Sequence, residues 1–473
     1  MKSIQYITSL LLAVFLLSCN KWLDVQPEDR LKEDQLYSTR QGFLDALNGL
    51  YIKSANAATY GDQMTLSTLE MFAQRYHTSG SSTTHLKAQF GLLNYADPGV
   101  EGSIGRMWEG LYSHIANVNR FLSSLEKFPG VLQAEELRSF RGQALGLRAW
   151  LHLDVLRLFG PVYDSPDSVK ALIPYYTKLQ PEGEPNIAAN AFMDKVLADL
   201  EEAGALLAGD AVLTEGSSKL HHYRMNLVAV TALKARASLW RGNRSAAYAY
   251  AKAGIEQAKD VFPWVLHDNI ASSPDNPDRI FSTELLFALF NSQLYESYNA
   301  QFSPELYYTS LLAGGPTPFI DITYESNQRD YRYIYSWPIP GTGAAFRTFF
   351  KYADVKDKDK AFRFTTALVR KSELYYIVAE TAEDPAEALE HLNMVRRARY
   401  LDVDITDPAQ LEAQLLKEYQ KEFFGEGQMW FYYKRKKAAS VISPNVAYPS
   451  TGMFTIVPEK YVLPKPLSET SSR

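Results

Sequence analysis

A row of acidic residues near the C-terminus constrains how this chain can fold more than any other feature of its sequence. The row consists of Glu418, Glu422 and Glu426. It runs beside an apolar stripe with the same four-residue spacing, which predicts an amphipathic helix. The stripe consists of Leu411, Leu415, Tyr419 and Phe423. Because like charges four residues apart destabilise an isolated helix, such a row persists most easily when cations from elsewhere in the fold compensate it.

The residues after the acidic row indicate where this helix ends and which partners the chain excludes. Gly425 and Gly427 break the helical pattern, and a basic cluster at 434–437 follows an apolar run. The chain carries a formal net charge of −5, so no long-range positive field would attract phosphate. The basic cluster is too short to overturn that balance. Nucleic acid is therefore not an expected partner.

The sequence shows no recognisable catalytic, cofactor or metal-binding motif. The only cysteine is Cys19, which excludes an intramolecular disulfide and a cysteine metal site. His221 and His222 are adjacent and cannot share one face of a helix, so they do not predict a metal site. Phosphate-binding loops, zinc-protease motifs and dinucleotide fingerprints are absent from the sequence. We therefore expect a binding protein without cofactor, although a hydrolase with a carboxylate pair stays open.

The N-terminus has the pattern of a bacterial lipoprotein. A short, positively charged start precedes the apolar run Leu10–Leu17, which is too short to span a bilayer as a helix. Ser18 and the sole cysteine, Cys19, follow at once. This order predicts a signal peptide at 1–18, lipidation of Cys19 and a tether at 19–32. The alternative is a buried free thiol after an ordinary signal sequence.

Helical periodicity recurs through most of the remaining chain. The predicted helices span 33–55, 108–125, 137–159, 189–207, 223–240, 245–258, 372–381 and 385–399. Alanine-rich helices joined by short turns are typical of tetratricopeptide-like packing, although a strict period of about 34 residues is absent. The predicted fold is mainly α, a tetratricopeptide-like helical repeat scaffold.

Two long regions lack this periodicity. Residues 60–103 are rich in Ser, Thr and Gly, which predicts a long excursion over the surface. Residues 262–366 are rich in Pro and Gly, which predicts an insertion of loops and small hairpins on the helical scaffold. Within this insertion only Glu284–Phe290 has the pattern of a regular buried segment, a short strand.

The insertion is also rich in aromatic residues, which suggests a ligand site. Its aromatics include Tyr295, Tyr298, Phe302, Tyr307, Tyr308, Phe319, Tyr324, Tyr331, Tyr333, Tyr335 and Trp337. Rings and polar groups alternate most densely in 323–337, a mixture that suits sugars. If this segment is extended, the last four aromatics share one face. The predicted ligand residues are Tyr324, Tyr331, Tyr333, Tyr335 and Trp337. The competing interpretation is a half-buried strand whose tyrosines pack on the helices.

Several of these motifs together resemble the SusD/RagB family. The C-terminal stretch has the family's closing signature, an E-x-x-x-E-F segment followed by E-G-x-x-W-F and K-R. The matching residues are Glu418, Glu422, Phe423, Glu426, Gly427, Trp430, Phe431, Lys434 and Arg435. The run Leu147–Val162, the first helix and the segment around Cys19 are also similar to the family. Four residues depart from the signature and mark a divergent branch: Tyr419, Met429, Tyr432 and Tyr433.

This resemblance implies both an architecture and a function. It implies one SusD-like domain at 33–473, with a helical scaffold at 33–261 and 367–437 and the insertion at 262–366. It implies a surface-exposed outer-membrane lipoprotein that captures an oligosaccharide or a peptide and passes it to a SusC-like TonB-dependent barrel. Binding and hand-over would involve no covalent chemistry. A lipid-anchored hydrolase and a purely structural repeat scaffold remain as alternatives.

Overall fold

A computed structural model describes residues 33–78, 85–163, 166–180, 183–446, 452–467 and 469. The predicted signal peptide, Cys19 and the tether lie outside the described residues. In the first half of the chain the helices are α1 (Arg40–Ser54), α2 (Thr68–Phe72), α3 (Leu86–Gly91), α4 (Pro98–Lys127), α5 (Ala134–Phe159), α6 (Ala189–Leu206), α7 (Val212–Glu215) and α8 (Leu227–Trp240). In the described part of the chain no helix is long and apolar enough to cross a membrane.

The second half continues the helical architecture and contains most of the strand residues. Its helices are α9 (Arg244–Ala258), α10 (His267–Ile270), α11 (Leu294–Phe302), α12 (Phe319–Thr323), α13 (Tyr331–Ser336), α14 (Lys371–Thr381), α15 (Pro385–Ala398), α16 (Leu411–Glu422) and α17 (Gln428–Lys436). The strands are β1 (Ala171–Pro174), β2 (Asn186–Ala188), β3 (Leu285–Phe290), β4 (Thr365–Arg370), β5 (Ser440–Ile442) and β6 (Met453–Thr455). They form the antiparallel pairs β1–β2, β3–β4 and β5–β6.

The long helices pack in succession, as a helical repeat requires. In chain order, α5 contacts α4 and α6, α8 contacts α6 and α9, and α14 contacts α9 and α15. Small residues allow the close approach: a Cβ on Gly254 of α9 would lie 2.9 Å from a methyl carbon of Leu374 on α14. The mainly helical, tetratricopeptide-like fold predicted from the sequence is therefore confirmed.

Local capping explains where several of these helices begin. The Thr39 side chain accepts a hydrogen bond from the backbone N–H of Gly42, so α1 begins at Arg40. Residues 33–36 are helical as well, and a turn at 37–39 divides the helix predicted for 33–55. Asp384 caps α15 in the same way, and Pro385 occupies its first turn, where the missing N–H costs nothing. The strand predicted at Glu284–Phe290 is confirmed as β3, which pairs with β4 from Leu285 opposite Arg370 to Phe290 opposite Thr365.

The surface excursion predicted for residues 60–103 is wrong. Tyr60, Leu66, Phe72 and Tyr76 are buried in the main core, and the segment from Pro98 onward belongs to α4. Short helices and turns carry these apolar side chains inward, so they show no sustained period. Their backbone and polar groups find partners far away in the sequence: Glu70 accepts a hydrogen bond of 2.8 Å from the N–H of Gly427.

The insertion contains more helix than the predicted loops and hairpins. Residues 262–366 include β3 and the helices α10 to α13, and the predicted boundary at 366 falls inside β4. The segment 331–337 is not extended, which was the condition for its rings to share one face, because α13 occupies Tyr331–Ser336. The Asp330 side chain caps this helix by accepting a hydrogen bond of 2.9 Å from the N–H of Arg332.

The acidic row is buried and is compensated by cations from distant segments. Glu422 is the hub: it accepts hydrogen bonds from Arg399 at 2.9 Å and Arg332 at 3.1 Å, and Ser372 Oγ donates to it at 2.8 Å. Arg399 also forms a bidentate ion pair with Glu284, at 2.9 and 2.6 Å. The compensation by distant cations expected from the sequence is thus present.

The two outer carboxylates of the row have their own cations. Glu418 pairs with Arg332 at 2.8 Å and with Arg396 at 3.0 Å. Glu426 accepts from Arg370 Nε at 2.9 Å and also contacts the Lys351 ammonium. Burial alone would raise the pKa of the Glu418 carboxyl, but Arg332 and its neighbouring cations lower it to about 2. Glu418 is therefore held in its charged form.

We predict that breaking this network costs far more stability than breaking a surface ion pair close by. Arg399→Met should lower the free energy of unfolding by about 3–5 kcal/mol, because it leaves the buried Glu284 without its bidentate partner and removes one of the cations that compensate Glu422. The matched control is Arg397→Met. The Arg397 side chain is 43% exposed and pairs with Glu390 and Asp404 at the surface, so its loss should cost less than about 1 kcal/mol. Urea denaturation measures both values, and equal losses would contradict the proposed role of the network.

Candidate functional site

Three of the five predicted ligand residues lie in the main core. Trp337 is 0% exposed, with its ring 4.9 Å from Phe349 and 4.7 Å from Phe424. The rings of Tyr324 and Tyr333 stack at 5.6 Å, and the Tyr324 hydroxyl donates to the backbone carbonyl of Lys421 at 3.0 Å. For these three residues the structure favours the packing interpretation.

The other two predicted residues belong to a smaller hydrophobic cluster that is separate from the main core. Tyr331 is buried there and Tyr335 is half-buried beside it. The Tyr331 ring stacks on that of Tyr400 at 5.2 Å with an interplanar angle of 9°, and its hydroxyl contacts His267. The rings predicted to share one face are thus divided between two clusters. Ligand contact by the five residues stays a prediction.

The helical turn of α13 explains this division. In a helix, Tyr331 and Tyr335 are four residues apart and share one face, whereas Tyr333 points elsewhere. Arg332 is buried and reaches the acidic row, with its guanidinium 2.7 Å from Asp330 and 2.8 Å from Glu418. In the sequence, Arg332 is read as a surface residue, so the tyrosines on either side of it look like the buried positions of a strand. The structure buries Arg332 as well.

The structure presents a different pair of aromatic rings to solvent. Tyr307 is 73% exposed and Tyr308 is 43% exposed, and their ring centroids lie 5.3 Å apart with a 49° angle between the planes. Both rings lie in the segment between α11 and α12. Sequence analysis included them among the aromatics of the insertion but did not select them, because they show no alternation. The feature of the sequence that could have pointed to them is a pair of adjacent tyrosines shortly after a proline, between two helices.

The backbone under this tyrosine pair is well anchored. The N–H groups of Ser310 and Leu311 donate to the carbonyl of Tyr307 at 2.8 and 3.1 Å. Leu311 and Leu312 are buried in the core, and the ammonium of Lys87 contacts the Ser310 carbonyl. Burial lowers the pKa of Lys87 to about 8. These contacts fix the backbone that carries the two rings, although the rings themselves are exposed.

We predict that Trp337→Ala lowers the free energy of unfolding by about 3–5 kcal/mol, because it empties a large site in the core. Tyr335→Ala should cost less, since its ring is only half-buried. Thermal or urea denaturation of the two variants checks this order. A Trp337→Ala protein that melts normally but has lost ligand affinity would instead support the ligand role predicted from the sequence.

Comparisons with known protein families agree with the architecture. Residues 21–239 match a SusD-like family model described as "Starch-binding associating with outer membrane", and residues 322–460 match the model of the SusD (SusD_RagB) family. A curated relative, SusD-like protein P38 of Formosa agariphila, is 25% identical over 484 residues, and the match covers 90% of each chain.

Solved structures show the same fold. A SusD superfamily protein of Bacteroides thetaiotaomicron is 19% identical with a TM-score of 0.72, covering 92% of this chain and 98% of that one. The surface glycan-binding protein A of the same species is 16% identical with a TM-score of 0.69, again covering 92% and 98%. Since the two family models together match three quarters of the chain, residues 21–239 and 322–460, and agree with the fold, this chain belongs to the SusD/RagB family.

Proposed function

We propose that this protein captures a nutrient oligomer, a glycan, at the bacterial surface and passes it to a SusC-like TonB-dependent transporter. The family description, which names starch binding and association with the outer membrane, supports this proposal. So does the fold it shares with a surface glycan-binding protein. Members of this family bind and do not catalyse, so the function requires no covalent step.

The exposed tyrosine pair, Tyr307 and Tyr308, is the observation that carries the proposal for this chain. Sugars present apolar C–H faces that stack on aromatic rings, and two rings inclined at 49° can contact two faces or two successive units. Single exposed apolar residues are ordinary on protein surfaces. Two adjacent exposed rings on an anchored backbone are better suited to binding than to stability, since neither ring is buried in the core.

We predict that Tyr307→Ala weakens glycan binding by roughly 5- to 150-fold, the equivalent of about 1–3 kcal/mol by analogy with base–aromatic stacking. The melting temperature should stay nearly unchanged because the ring is mostly exposed. Ile52→Ala serves as the control, since Ile52 is 72% exposed on α1 and lies outside the proposed site. A glycan and peptide array identifies the ligand class, and affinity measurements with a retained glycan then compare the variants.

Two outcomes would overturn this proposal. Unchanged affinity in the Tyr307→Ala protein would remove the tyrosine pair from the site. Retention of peptides alone on the array would favour the peptide-binding alternative.

We further propose that a lipid on Cys19 anchors the protein in the outer membrane, facing the exterior. The short apolar run that ends at the chain's only cysteine supports this. Each buried lipid methylene contributes roughly 0.8 kcal/mol, so a multiply acylated cysteine would stay on its membrane. An anchored protein of this family can cover the barrel as a lid and remain in contact when no ligand is bound.

We predict that affinity purification from native membranes in mild detergent recovers a barrel of TonB-dependent transporter size. The interface should involve helix surfaces of the scaffold and not the insertion alone. Recovery of the chain alone would count against the transporter partnership.

We predict that Cys19→Ala loses lipid labelling and leaves the membrane fraction. A Cys19→Ala protein that stays in the membrane fraction through salt washing would show that the anchor is something else.

A further inference from the structure

A cavity at some distance in the sequence from the tyrosine pair has a different chemical character. It has a volume of about 230 Å³ and lies where the α8–α9 turn, the segment after α5 and the C-terminal helix α17 meet. Pockets for drug-sized ligands measure roughly 300–1,000 Å³, so this cavity suits a single unit of an oligomer. Its walls combine the indole of Trp240 with basic side chains.

The charged groups of the cavity are mainly cationic. Arg241, Arg244 and Arg435 line it, and Glu380 is the carboxylate beside them. Glu380 is already engaged, because it forms a bidentate ion pair with Arg435 at 2.5 and 2.8 Å. Arg241 pairs at 2.6 Å with Asp194, whose side chain is 61% exposed, and such surface pairs contribute little and exchange readily. The cavity therefore has an excess of positive charge.

One buried donor of the cavity wall, the Nε1–H of Trp240, has no hydrogen-bond partner among the described residues. Lys434 is different, because it donates three hydrogen bonds to backbone carbonyls, those of Arg157 at 2.8 Å, Leu158 at 3.4 Å and Gly160 at 2.7 Å. Burial also lowers the pKa of Lys434 well below its usual range. The positive charge that a ligand would meet therefore comes from Arg241, which is half-buried, and from Arg244, which is exposed and donates to the backbone carbonyl of Glu380.

We infer that this cavity binds an acidic sugar unit, with a carboxylate or sulfate held by Arg241 and Arg244 and the ring against Trp240. Arginine suits both groups, because its planar fork donates two parallel hydrogen bonds to carboxylate or sulfate oxygens. The indole of Trp240 offers an apolar face to the sugar ring. This inference rests on the proposed capture of glycans and specifies an acidic class of glycan.

Calorimetric titration of the full-length protein in mild detergent tests the inference, with glucuronate, glucose 6-sulfate and glucose as probes at matched ionic strength. Both acidic sugars, or one of them, should bind at least tenfold more tightly than glucose. A preference for glucuronate alone or for the sulfate alone identifies which acidic group the site takes. Arg241→Gln and Arg244→Gln should each weaken binding of the preferred acid at least fivefold and leave the affinity for glucose unchanged.

Arg329→Gln is the matched control, because Arg329 is half-exposed and pairs with Asp402 far along the chain from the cavity residues. It removes one positive charge and should leave the affinity for both acids unchanged. Equal affinity for glucose and the acids, no binding of either acid, or an acid preference that survives in both arginine variants would overturn the inference. Neutral glycans that still bind through Tyr307 would leave the proposed function standing in each of these cases.

Discussion

The bond between Glu422 and Arg399 is the interaction on which the rest of the structure depends. It joins α16 to the end of α15, and the same carboxylate accepts from Arg332 of α13 and Ser372 of α14. Four segments that are far apart in the chain therefore share one buried carboxylate. Burial would raise the pKa of Glu422, but its arginine partners lower it well below the usual range. The carboxylate stays charged, and each partner segment has only one favourable position.

This network also explains how the insertion is attached to the scaffold. Arg332 comes from the insertion and Arg370 from the end of β4, and they reach the acidic row at Glu422 and Glu426. Separating either arginine from its glutamate would leave buried charges unpaired, which costs free energy. These ion pairs therefore hold the insertion against the scaffold.

Sequence patterns predicted the scaffold well because its signals are local. Alanine spacing, a capping threonine and a proline in the first turn each depend only on neighbouring residues, so they predict helices from the sequence alone. The acidic row likewise predicted that cations from distant segments would compensate its charge. The predictions failed where tertiary partners decide the structure. Tyr331–Tyr335 alternate like a strand, yet Asp330 and the buried Arg332 favour a helical turn. The segment from Tyr60 to Tyr76 shows no regular hydrophobic spacing, because its side chains contact residues more than 300 positions later in the chain.

Those distant contacts determine when the fold can be completed. Gly427 has a φ of +70°, and a Cβ there would lie 2.0 Å from the carbonyl oxygen of Met64, so the backbone of the C-terminal turn lies directly against the N-terminal quarter of the molecule. Arg75 donates to the carbonyl of Gln420 in the same region. A growing chain can form its early helix pairs through local contacts, but it cannot close this part of the core until its last tenth has been synthesised. Contacts of such long sequence separation slow folding, and the incomplete chain exposes the aromatic surface of residues 60–76 until α16 and α17 arrive.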